Sequence, residues 1–473
     1  MSLPDLELCR TLCSHVADAV TALPDKRRAA GCDATIAVAK ALARHKNDAA
    51  LAQQACRALA NVASGDAACK AKLLSDGSLE AVATAYAQHV DAAAATFQAT
   101  RVLANMACGD RACKGAVLRC DGVSLVTTAL AVHAADGAVV NAAVACVANL
   151  AADDATRAAV TEARGAQMVS DALARHRATA EAGDVDWSAG LATHCARALA
   201  NLGAGEPASL QEVQRCGAAE AVASCLRQHG ADAMELAAWG CRLLANVSAN
   251  ETGEAQLMRA NAPMLVAGLL SAHGGSASVQ AEGLACLSNL AAAADPACRG
   301  AVVDAGGAAA AVAALEALPR VAPVCEQAMA LLSNLARGDA RCQAAALQAR
   351  APAVVVQRMR ANVAATGVQR FGCRLLAALA GGTAASREAL VQAGALVAVC
   401  RGLDHHLQAS QLQSEGCLCL TLIAGGDDAC LAALRKSDAA NVLKRALKAH
   451  PDHANIRETA SIFKDALGPP ARR

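Results

Sequence analysis

Two polar side chains recur at fixed places along this chain and are the best candidates for chemistry. The stretch CRALANVASGD (56–66) returns as TRVLANMACGD (100–110), ARALANLGAGE (196–206) and CRLLANVSANE (241–251). Each copy has an Asn in a small apolar run, with an Arg four residues before it. An amide both donates and accepts hydrogen bonds, and a guanidinium can bind a carboxylate through two parallel hydrogen bonds. These are binding groups, not nucleophiles or general bases.

The residue patterns of common catalytic and cofactor sites are missing from the sequence. It contains no HExxH, GxxxxGK[ST], GxSxG or CxxC pattern, and no GxGxxG at a strand–helix junction. Four pairs come nearest to a set of metal ligands, and each lacks a third group at a suitable spacing: Cys9 and Cys13, His194 and Cys195, His405 and His406, and Cys417 and Cys419. We therefore expect a non-catalytic protein with no cofactor and no metal.

Nine of the 22 cysteines recur with the same period as the Asn residues. One group lies eight or nine residues after the recurring position: Cys69, Cys113, Cys298, Cys342 and Cys430. A second group lies five residues before it: Cys56, Cys241, Cys373 and Cys417. A small apolar residue that recurs with the period of the fold predicts packing in the core. We expect reduced thiols in a reducing compartment, not a disulfide framework.

Internal repetition dominates the sequence. Seven recurring Asn residues serve as anchors: Asn61, Asn105, Asn149, Asn201, Asn246, Asn289 and Asn334. Two further units keep the frame without the Asn, at Ala378 and Leu422. Successive anchors are separated by 44, 44, 52, 45, 43, 45, 44 and 44 residues. This constancy predicts a repeat protein in which each unit packs on its neighbours along the chain.

Each unit carries signals for three helices. A turn such as Gly65-Asp66 follows the anchor and predicts a helix end and then the N-cap of a short helix. Pro207 and Pro296 suit the first turn of two of these short helices. A Gly or Pro break leads into a second apolar helix, and a third, longer helix carries the anchor. The second helix often ends at a His: His45, His89, His133, His176, His229, His273, His405 and His450.

Three helices in about 44 residues, with LxNLA near the end and Gly-Ala-Leu at a helix junction, resemble the armadillo repeat. The stretches VQAGALVAVCRGL (391–403) and GLACLSNLAAAADPACRGAVV (283–303) carry the resemblance. It implies an all-α, right-handed α-solenoid of about ten repeats over residues 24–467. We expect residues 1–23 to form an N-terminal capping helix and 468–473 a C-terminal tail. HEAT repeats, which usually have two helices per unit, are the alternative.

The resemblance also implies a ligand-binding groove lined by the third helices. In armadillo proteins the Asn of LxNLA often bonds the backbone of an extended peptide, a role that falls here on all seven anchors. Importin alpha has Trp four residues before the Asn, one helical turn earlier on the same face. Five units of this chain have Arg there instead: Arg57, Arg101, Arg197, Arg242 and Arg374. Arg disfavours basic peptides and favours carboxylate-rich ones, so the groove looks more like that of beta-catenin.

Other interpretations of the same residues involve no ligand. The Asn residues would terminate helices and stabilise turns, and the Arg residues would form a solvated row paired with nearby acids. The 52-residue spacing predicts a loop insertion at 177–188 that contains Asp184, Asp186 and Trp187. This insertion is either a surface loop without a role or an acidic rim that contacts a partner.

Charge and composition narrow the classes of partner. With 43 Lys and Arg against 42 Asp and Glu, the net charge is +1, so no global field favours nucleic acid or an anionic membrane. Aromatic residues make up 1%, too few to stack on bases. The start MSLPDLELCR has no secretory signal, and the longest uncharged stretch, 260–281, is broken by Pro263 and Gly274. We expect protein partners and a cytoplasmic location, with nucleus and cilium left open.

These observations predict a non-catalytic scaffold or adaptor that binds extended, acidic protein segments. One alternative is a regulatory factor for a folded partner such as a small GTPase, acting as an exchange factor or chaperone. Another is a structural subunit of a cytoskeletal or ciliary assembly. The sequence leaves the partner, the process and the oligomeric state open.

Overall fold

The computed structural model of the chain describes residues 3–180, 185–338, 340–425 and 428–467. Within these ranges all regular structure is helical, in 31 helices. The chain forms two compact units, Met1–His229 and Gly230–Arg473, here called unit 1 and unit 2. The predicted all-α class is therefore confirmed. Each unit is described by itself below.

Unit 1 contains fifteen helices, which follow the predicted order of short, medium and long after the first one. They are α1 (Leu3–Ala19), α2 (Leu23–Gly31), α3 (Ala34–Arg44), α4 (Ala49–Ala63), α5 (Ala67–Ser75), α6 (Ser78–Gln88), α7 (Ala93–Ala107), α8 (Arg111–Arg119), α9 (Gly122–Val132), α10 (Gly137–Leu150), α11 (Asp154–Glu162), α12 (Gly165–Ala180), α13 (Val185–Gly203), α14 (Pro207–Arg215) and α15 (Ala218–His229). The third helices stack in order, since α1 packs on α4, α4 on α7, α7 on α10 and α10 on α13.

Unit 2 contains sixteen helices with the same periodic order. They are α16 (Met234–Val247), α17 (Glu251–Arg259), α18 (Ala262–Ala272), α19 (Ala277–Ala292), α20 (Pro296–Asp304), α21 (Gly307–Ala317), α22 (Ala322–Ala336), α23 (Ala340–Gln348), α24 (Ala351–Ala361), α25 (Thr366–Ala380), α26 (Ala384–Gln392), α27 (Ala395–His405), α28 (Ser410–Ala424), α29 (Asp428–Lys436), α30 (Ala439–Ala449) and α31 (Ala454–Leu467). Here α16, α19, α22, α25, α28 and α31 stack in sequence.

Each unit is thus an α-solenoid of three-helix repeats, in which short polar signals set the helix boundaries. The carboxylate of Asp66 accepts a hydrogen bond from the backbone N–H of Cys69 at 3.2 Å, and so begins α5. This bond and the Arg27 guanidinium lower the pKa of Asp66 to about 2. Gly65 permits a close approach, because a Cβ there would lie 2.7 Å from Cys69 Sγ. The predicted Gly-Asp turn is confirmed, and Pro207 begins α14 as expected.

The junction before the second helix was predicted to be a Gly or Pro break, and the structure shows a broader rule. The residue before this helix has a left-handed backbone in nine repeats. Four are Gly and five are not: Asp33, Asp121, Arg164, Asn261 and Arg350. Asp and Asn tolerate this conformation, while Arg adopts it at a cost of roughly 1–2 kcal/mol. The requirement is for a positive φ, which Gly meets without strain.

Small aliphatic side chains fill the cores of both units. In α4, for example, Ala55, Leu59 and Val62 are each 0–1% exposed. All nine cysteines singled out by their spacing are buried, which confirms the packing prediction. Burial raises the pKa of the Cys113 thiol to about 11 and that of Cys56 to about 12. Thiols with such pKa values are mostly protonated at neutral pH and are therefore weak nucleophiles.

The predicted boundaries can be compared with the structure in three places. The segment 1–23 contains α1, whose packing on α4 gives it the place of a third helix. The described residues of the region 177–188 are helical, because α12 runs through Ala180 and α13 begins at Val185. For the same reason α12 does not end at His176. In α27 the last residue is His405, and His406 takes the capping position.

Among the described residues, no single helix has both the length and the apolar character needed to cross a membrane. Two consecutive pairs, α8–α9 and α20–α21, reach that length only when added together, and they are bent by 68° and 59°.

Candidate protein-binding site

The recurring Asn and Arg residues of unit 1 lie along one face, formed by the third helices α4, α7, α10 and α13. We call it the unit 1 face, and its residues are Arg57, Asn61, Arg101, Asn105, Asn149, Arg197 and Asn201. The Asn residues are half-buried, apart from the buried Asn201. None of them caps a helix. For example, α4 continues two residues beyond Asn61 to Ala63, where Ser64 is the cap. The interpretation of these Asn residues as helix terminators is therefore wrong.

Each Asn of the unit 1 face ties its repeat to the preceding one. Asn105 Nδ2 donates to the Ala60 carbonyl oxygen at 2.9 Å, and Asn149 Nδ2 donates to that of Ala104 at 2.9 Å. Asn61 and Asn201 bond Ala17 and Ala148 in the same way, also at 2.9 Å. Since one amide hydrogen is used inside the solenoid, the second amide hydrogen and part of Oδ1 are left for another partner.

The Arg residues add further links in the same direction, to the preceding third helix. Arg101 Nη2 donates to Asn61 Oδ1 at 3.5 Å, and Arg197 Nη2 donates to Asn149 Oδ1 at 3.3 Å. Arg57 instead pairs with Asp18 of α1, with 2.5 Å between Nη2 and Oδ1. Two of the three Arg side chains on this face are thus held by neutral amides. Among the described residues of this unit, the predicted pairing of these Arg residues with acids is seen for Arg57 alone.

Arg101 lies where a positive charge is poorly compensated. Its Nη1 donates to Gln98 Oε1 at 2.6 Å, and its guanidinium carbon lies 5.8 Å from the centre of the Phe97 ring. Burial, and then the charge of Arg57, lower the pKa of Arg101. A carboxylate bound beside it would offset both effects. The Nε atom of Arg197 is also enclosed and has no hydrogen-bond partner.

The helices α4, α7 and α10 contribute no acidic residue at all to the unit 1 face. Their sequences contain Arg57 and Arg101 but no Asp or Glu. Gln53, Gln54, Gln98 and the Asn residues supply the remaining polar groups. The face is therefore both basic and rich in amides.

The corresponding face of unit 2 has a different charge balance. The helices α16, α19, α22, α25 and α28 carry three Arg residues and four Glu residues. Arg242 Nε lies 4.0 Å from Glu282 Oε1, and burial raises the pKa of Glu282. Arg374 borders an open groove of about 700 Å³ that Glu415 also lines. Arg242 therefore has a carboxylate beside it, and Arg374 shares its groove with one.

Two Asn residues of unit 2 repeat the inter-helix bond with an added hydroxyl. Asn289 Nδ2 donates to the Ala245 carbonyl oxygen at 3.2 Å and to Ser248 Oγ at 3.0 Å. Asn334 Nδ2 donates to the carbonyl oxygen and Oγ of Ser288, at 2.9 and 3.1 Å. Asn246 is half-buried on α16.

A further column of side chains, seven residues before each anchor, was not predicted. It includes Gln98, His194, Trp239, Glu282 and Phe371, which are buried or half-buried on the third helices. The Trp239 ring lies 5.4 Å from the Arg242 guanidinium. Two helical turns separate this column from the anchor, so it shares the anchor's face. A search for residues seven positions before each Asn would have found it.

Three of the four pairs considered for metal or catalytic roles have other surroundings in the structure, and the fourth, Cys9 and Cys13, lies on α1. His194 Nδ1 lies 2.7 Å from Asn141 Oδ1, and its neighbour Cys195 is buried, which raises the pKa of that thiol. His406 Nε2 lies 2.7 Å from the Val363 carbonyl oxygen. Cys417 and Cys419 are buried in the core. Asp184 lies outside the described residues, as do the side chains of Asp186 and Trp187, so the predicted rim remains a prediction.

Solved structures share this fold. A crystal structure of an engineered protein superposes with a TM-score of 0.78 and 24% identity, and covers 92% of this chain and 99% of its own. A designed armadillo repeat protein in complex with the peptide (KR)4 gives 0.46 and 20%, over 53% of this chain and 99% of its own. Computationally designed armadillo repeat proteins for modular peptide recognition give 0.45 and 21%, over 53% and 99%. No protein-family model matches the chain, and no curated protein sequence does.

The class of the fold follows from the repeat geometry. Each repeat has three helices, the long third helices stack on one another, and a left-handed residue opens the second helix. The chain has an armadillo-like repeat fold, which confirms the resemblance seen in the sequence. The right-handed superhelix remains a prediction.

Proposed function

We propose that the chain is a non-catalytic protein-interaction scaffold whose unit 1 face binds an extended, acidic segment of a partner protein. The observation that carries this proposal is the charge of that face. Arg101 and Arg197 are held by neutral amides, and α4, α7 and α10 contain no carboxylate. An acidic ligand would compensate charges that the protein itself leaves uncompensated.

The repeat spacing suits an extended segment. Stacked helices lie about 8–10 Å apart, and an extended chain advances about 3.3 Å per residue. One repeat therefore matches roughly three residues of ligand. Arg57 and Arg101 lie on the successive third helices α4 and α7. Arg197 lies on α13, which is two third helices beyond α7. A segment with an acidic residue at every third position could place a carboxylate near each Arg.

Amide groups would hold the ligand backbone between these charges. The Asn side chains keep one N–H and part of Oδ1 for a ligand, and the Gln side chains of α4 and α7 add further donors and acceptors. Such contacts recognise the peptide bonds of the ligand and not its side chains. Specificity would thus come from the spacing of acidic residues.

The test uses a fluorescein-labelled ten-residue peptide with Glu at every third position and Gly or Ser between. A matched peptide carries Gln in place of Glu. Binding is followed by fluorescence anisotropy for wild type and for Arg101→Ala/Arg197→Ala. The variant Arg242→Ala/Arg374→Ala removes the same number of charges from unit 2 and serves as the control. Circular dichroism checks that all three proteins keep the same helix content.

We expect the Glu peptide to bind wild type more tightly than the Gln peptide does. Each half-exposed Arg–carboxylate contact contributes about 1 kcal/mol, so the unit 1 variant should bind roughly 30-fold more weakly. Added salt should weaken the wild-type complex. Equal affinity for the two peptides, or an equal loss in the unit 2 variant, would contradict the proposal.

A further inference from the structure

The histidines that cap the second helices form a second regular row. In five of these histidines the ring Nε2 lies within hydrogen-bonding distance of a carbonyl oxygen in the turn of the preceding repeat, 43 residues earlier. The pairs are His89 with Lys46 at 2.8 Å, His133 with Val90 at 2.5 Å, His273 with Gly230 at 2.6 Å, His406 with Val363 at 2.7 Å and His450 with Leu407 at 2.8 Å. The Nε2 atom at this position is thus directed at a partner in the preceding repeat.

His45 occupies the same capping position, at the end of α3, but its ring is bonded differently. Its Nε2 is enclosed and has no hydrogen-bond partner. Enclosed polar atoms without a partner are uncommon in proteins, because they lose their hydrogen bonds to water. Such an atom often marks a place where an ion or water belongs.

Two potential metal ligands from α1 lie beside His45. Asp5 and Cys9 are four residues apart, so both project from one face of α1. A carboxylate oxygen of Asp5, the Sγ of Cys9 and a ring nitrogen of His45 lie within 4.8 Å of one another. All three residues are half-buried. Among the described residues, this is the one cluster of His, Cys and carboxylate groups with such mutual distances.

We propose that Asp5, Cys9 and His45 form a binding site for a divalent transition metal ion such as Zn²⁺. A thiolate, an imidazole and a carboxylate are all ligands that zinc prefers. In a tetrahedral site these atoms lie about 3.3–3.8 Å apart, so side-chain rotations that bring them roughly 1 Å closer would complete the set. Water would supply the fourth ligand, and the proton of the Cys9 thiol passes to the solvent on binding.

A neighbouring Arg orients one of the ligands. Arg44 Nη2 lies 3.2 Å from Asp5 Oδ2, which directs that oxygen to the guanidinium and leaves Oδ1 for the metal. Groups that hold a metal ligand in this way commonly fix its orientation and increase the affinity of the site for the metal. The metal would join α1 to the end of α3, and so fix the first described helix to the repeat that follows it.

The test measures cobalt and zinc binding to the full-length protein after treatment with a chelator. Co²⁺ bound to a thiolate gives a sulfur-to-cobalt charge-transfer band, which reports Cys9 directly. Zn²⁺ affinity is measured by competition with a chromophoric chelator. The variants are Cys9→Ala, Asp5→Asn and His45→Ala. The matched controls are Cys32→Ala, which removes an exposed thiol, and His89→Ala, which removes a capping His from the next repeat.

We expect wild type to bind one ion per chain and to show the charge-transfer band. Cys9→Ala should abolish the band, and each of the three variants should weaken Zn²⁺ binding at least about 100-fold. Both controls should bind like wild type. Zn²⁺ should raise the melting temperature of wild type but not of Cys9→Ala. No stoichiometric binding, or binding that survives Cys9→Ala, would overturn the proposal.

Discussion

The bond from each Asn to the preceding repeat is tested most sharply by Asn105→Asp. The substitution preserves shape but replaces Nδ2, which donates to the Ala60 carbonyl oxygen at 2.9 Å, with an oxygen that cannot donate when ionised. A lost hydrogen bond costs about 1 kcal/mol, and the half-buried charge left facing a carbonyl oxygen adds about 1–2 kcal/mol. We therefore expect the free energy of unfolding to fall by roughly 2–3 kcal/mol at pH 8.

Asn289→Asp is the matched control for this change. Asn289 is exposed, and Ser248 Oγ lies 3.0 Å from its Nδ2. The Ser248 hydroxyl can turn to donate to the new carboxylate, and water can solvate it. The expected cost is about 1 kcal/mol lower than for Asn105→Asp.

The pH dependence separates the loss of a donor from a general loss of packing. The environment should raise the pKa of the new carboxylate in the folded state above its unfolded value. The protonated acid can again donate to the carbonyl oxygen. The stability of Asn105→Asp should therefore be nearest to wild type below about pH 4 and fall as pH rises through the folded-state pKa.

The assay is urea denaturation followed by circular dichroism, with wild type and both variants compared at pH 5 and pH 8. A cost for Asn105→Asp at pH 8 below about 0.5 kcal/mol, or equal costs at the two sites, would refute the assigned role of the amide.

Three further predictions concern stability. Arg350→Gly relieves a positive φ of 61° and should raise the unfolding free energy by about 0.5–1 kcal/mol in urea titrations; a decrease would contradict the strain argument. Glu212 is 6% exposed and burial raises its pKa, so the contribution of Glu212 to the unfolding free energy should fall as pH rises from about 4.3 through its folded-state pKa. Glu212→Gln, which does not titrate, should match wild type near pH 4 and exceed it by at least about 1 kcal/mol at pH 8, and a pH-independent difference would refute this. Gly65→Ala would bring a Cβ within 2.9 Å of the Val62 carbonyl oxygen and should lower the melting temperature, whereas Gly300→Ala meets nothing within 4 Å and should raise it.

Much of the fold could be predicted from the sequence, because the repeat is local. The anchor spacing located every third helix, and turns such as Gly65-Asp66 located the N-caps. Predictions from local sequence patterns failed where several residue types can adopt the same backbone conformation. The left-handed junction is Gly394 in one repeat and Arg350 in another, and only the first carries a visible signal. The region after His176 was predicted as a loop because its length broke the period, yet α12 runs on to Ala180 and α13 begins at Val185.

The candidate sites depend on contacts between repeats, which the sequence does not show directly. The residue types of Asn105 and Arg101 indicated binding groups, but the direction of the Asn105 amide depends on how α7 packs on α4. The proximity of Cys9 to His45 depends on how α1 lies beside the end of α3. Since these residues are 36 positions apart in the chain, no spacing rule joins them.

The central claim is that unit 1, and not unit 2, binds the acidic segment. A photo-cross-linking version of the Glu peptide, mapped by mass spectrometry on the full-length protein, tests it directly. We predict adducts on α4, α7, α10 and α13, which the matched Gln peptide does not give and which Arg101→Ala/Arg197→Ala removes. Adducts mainly on α16, α19, α22, α25 or α28, or the same adducts from both peptides, would contradict the account.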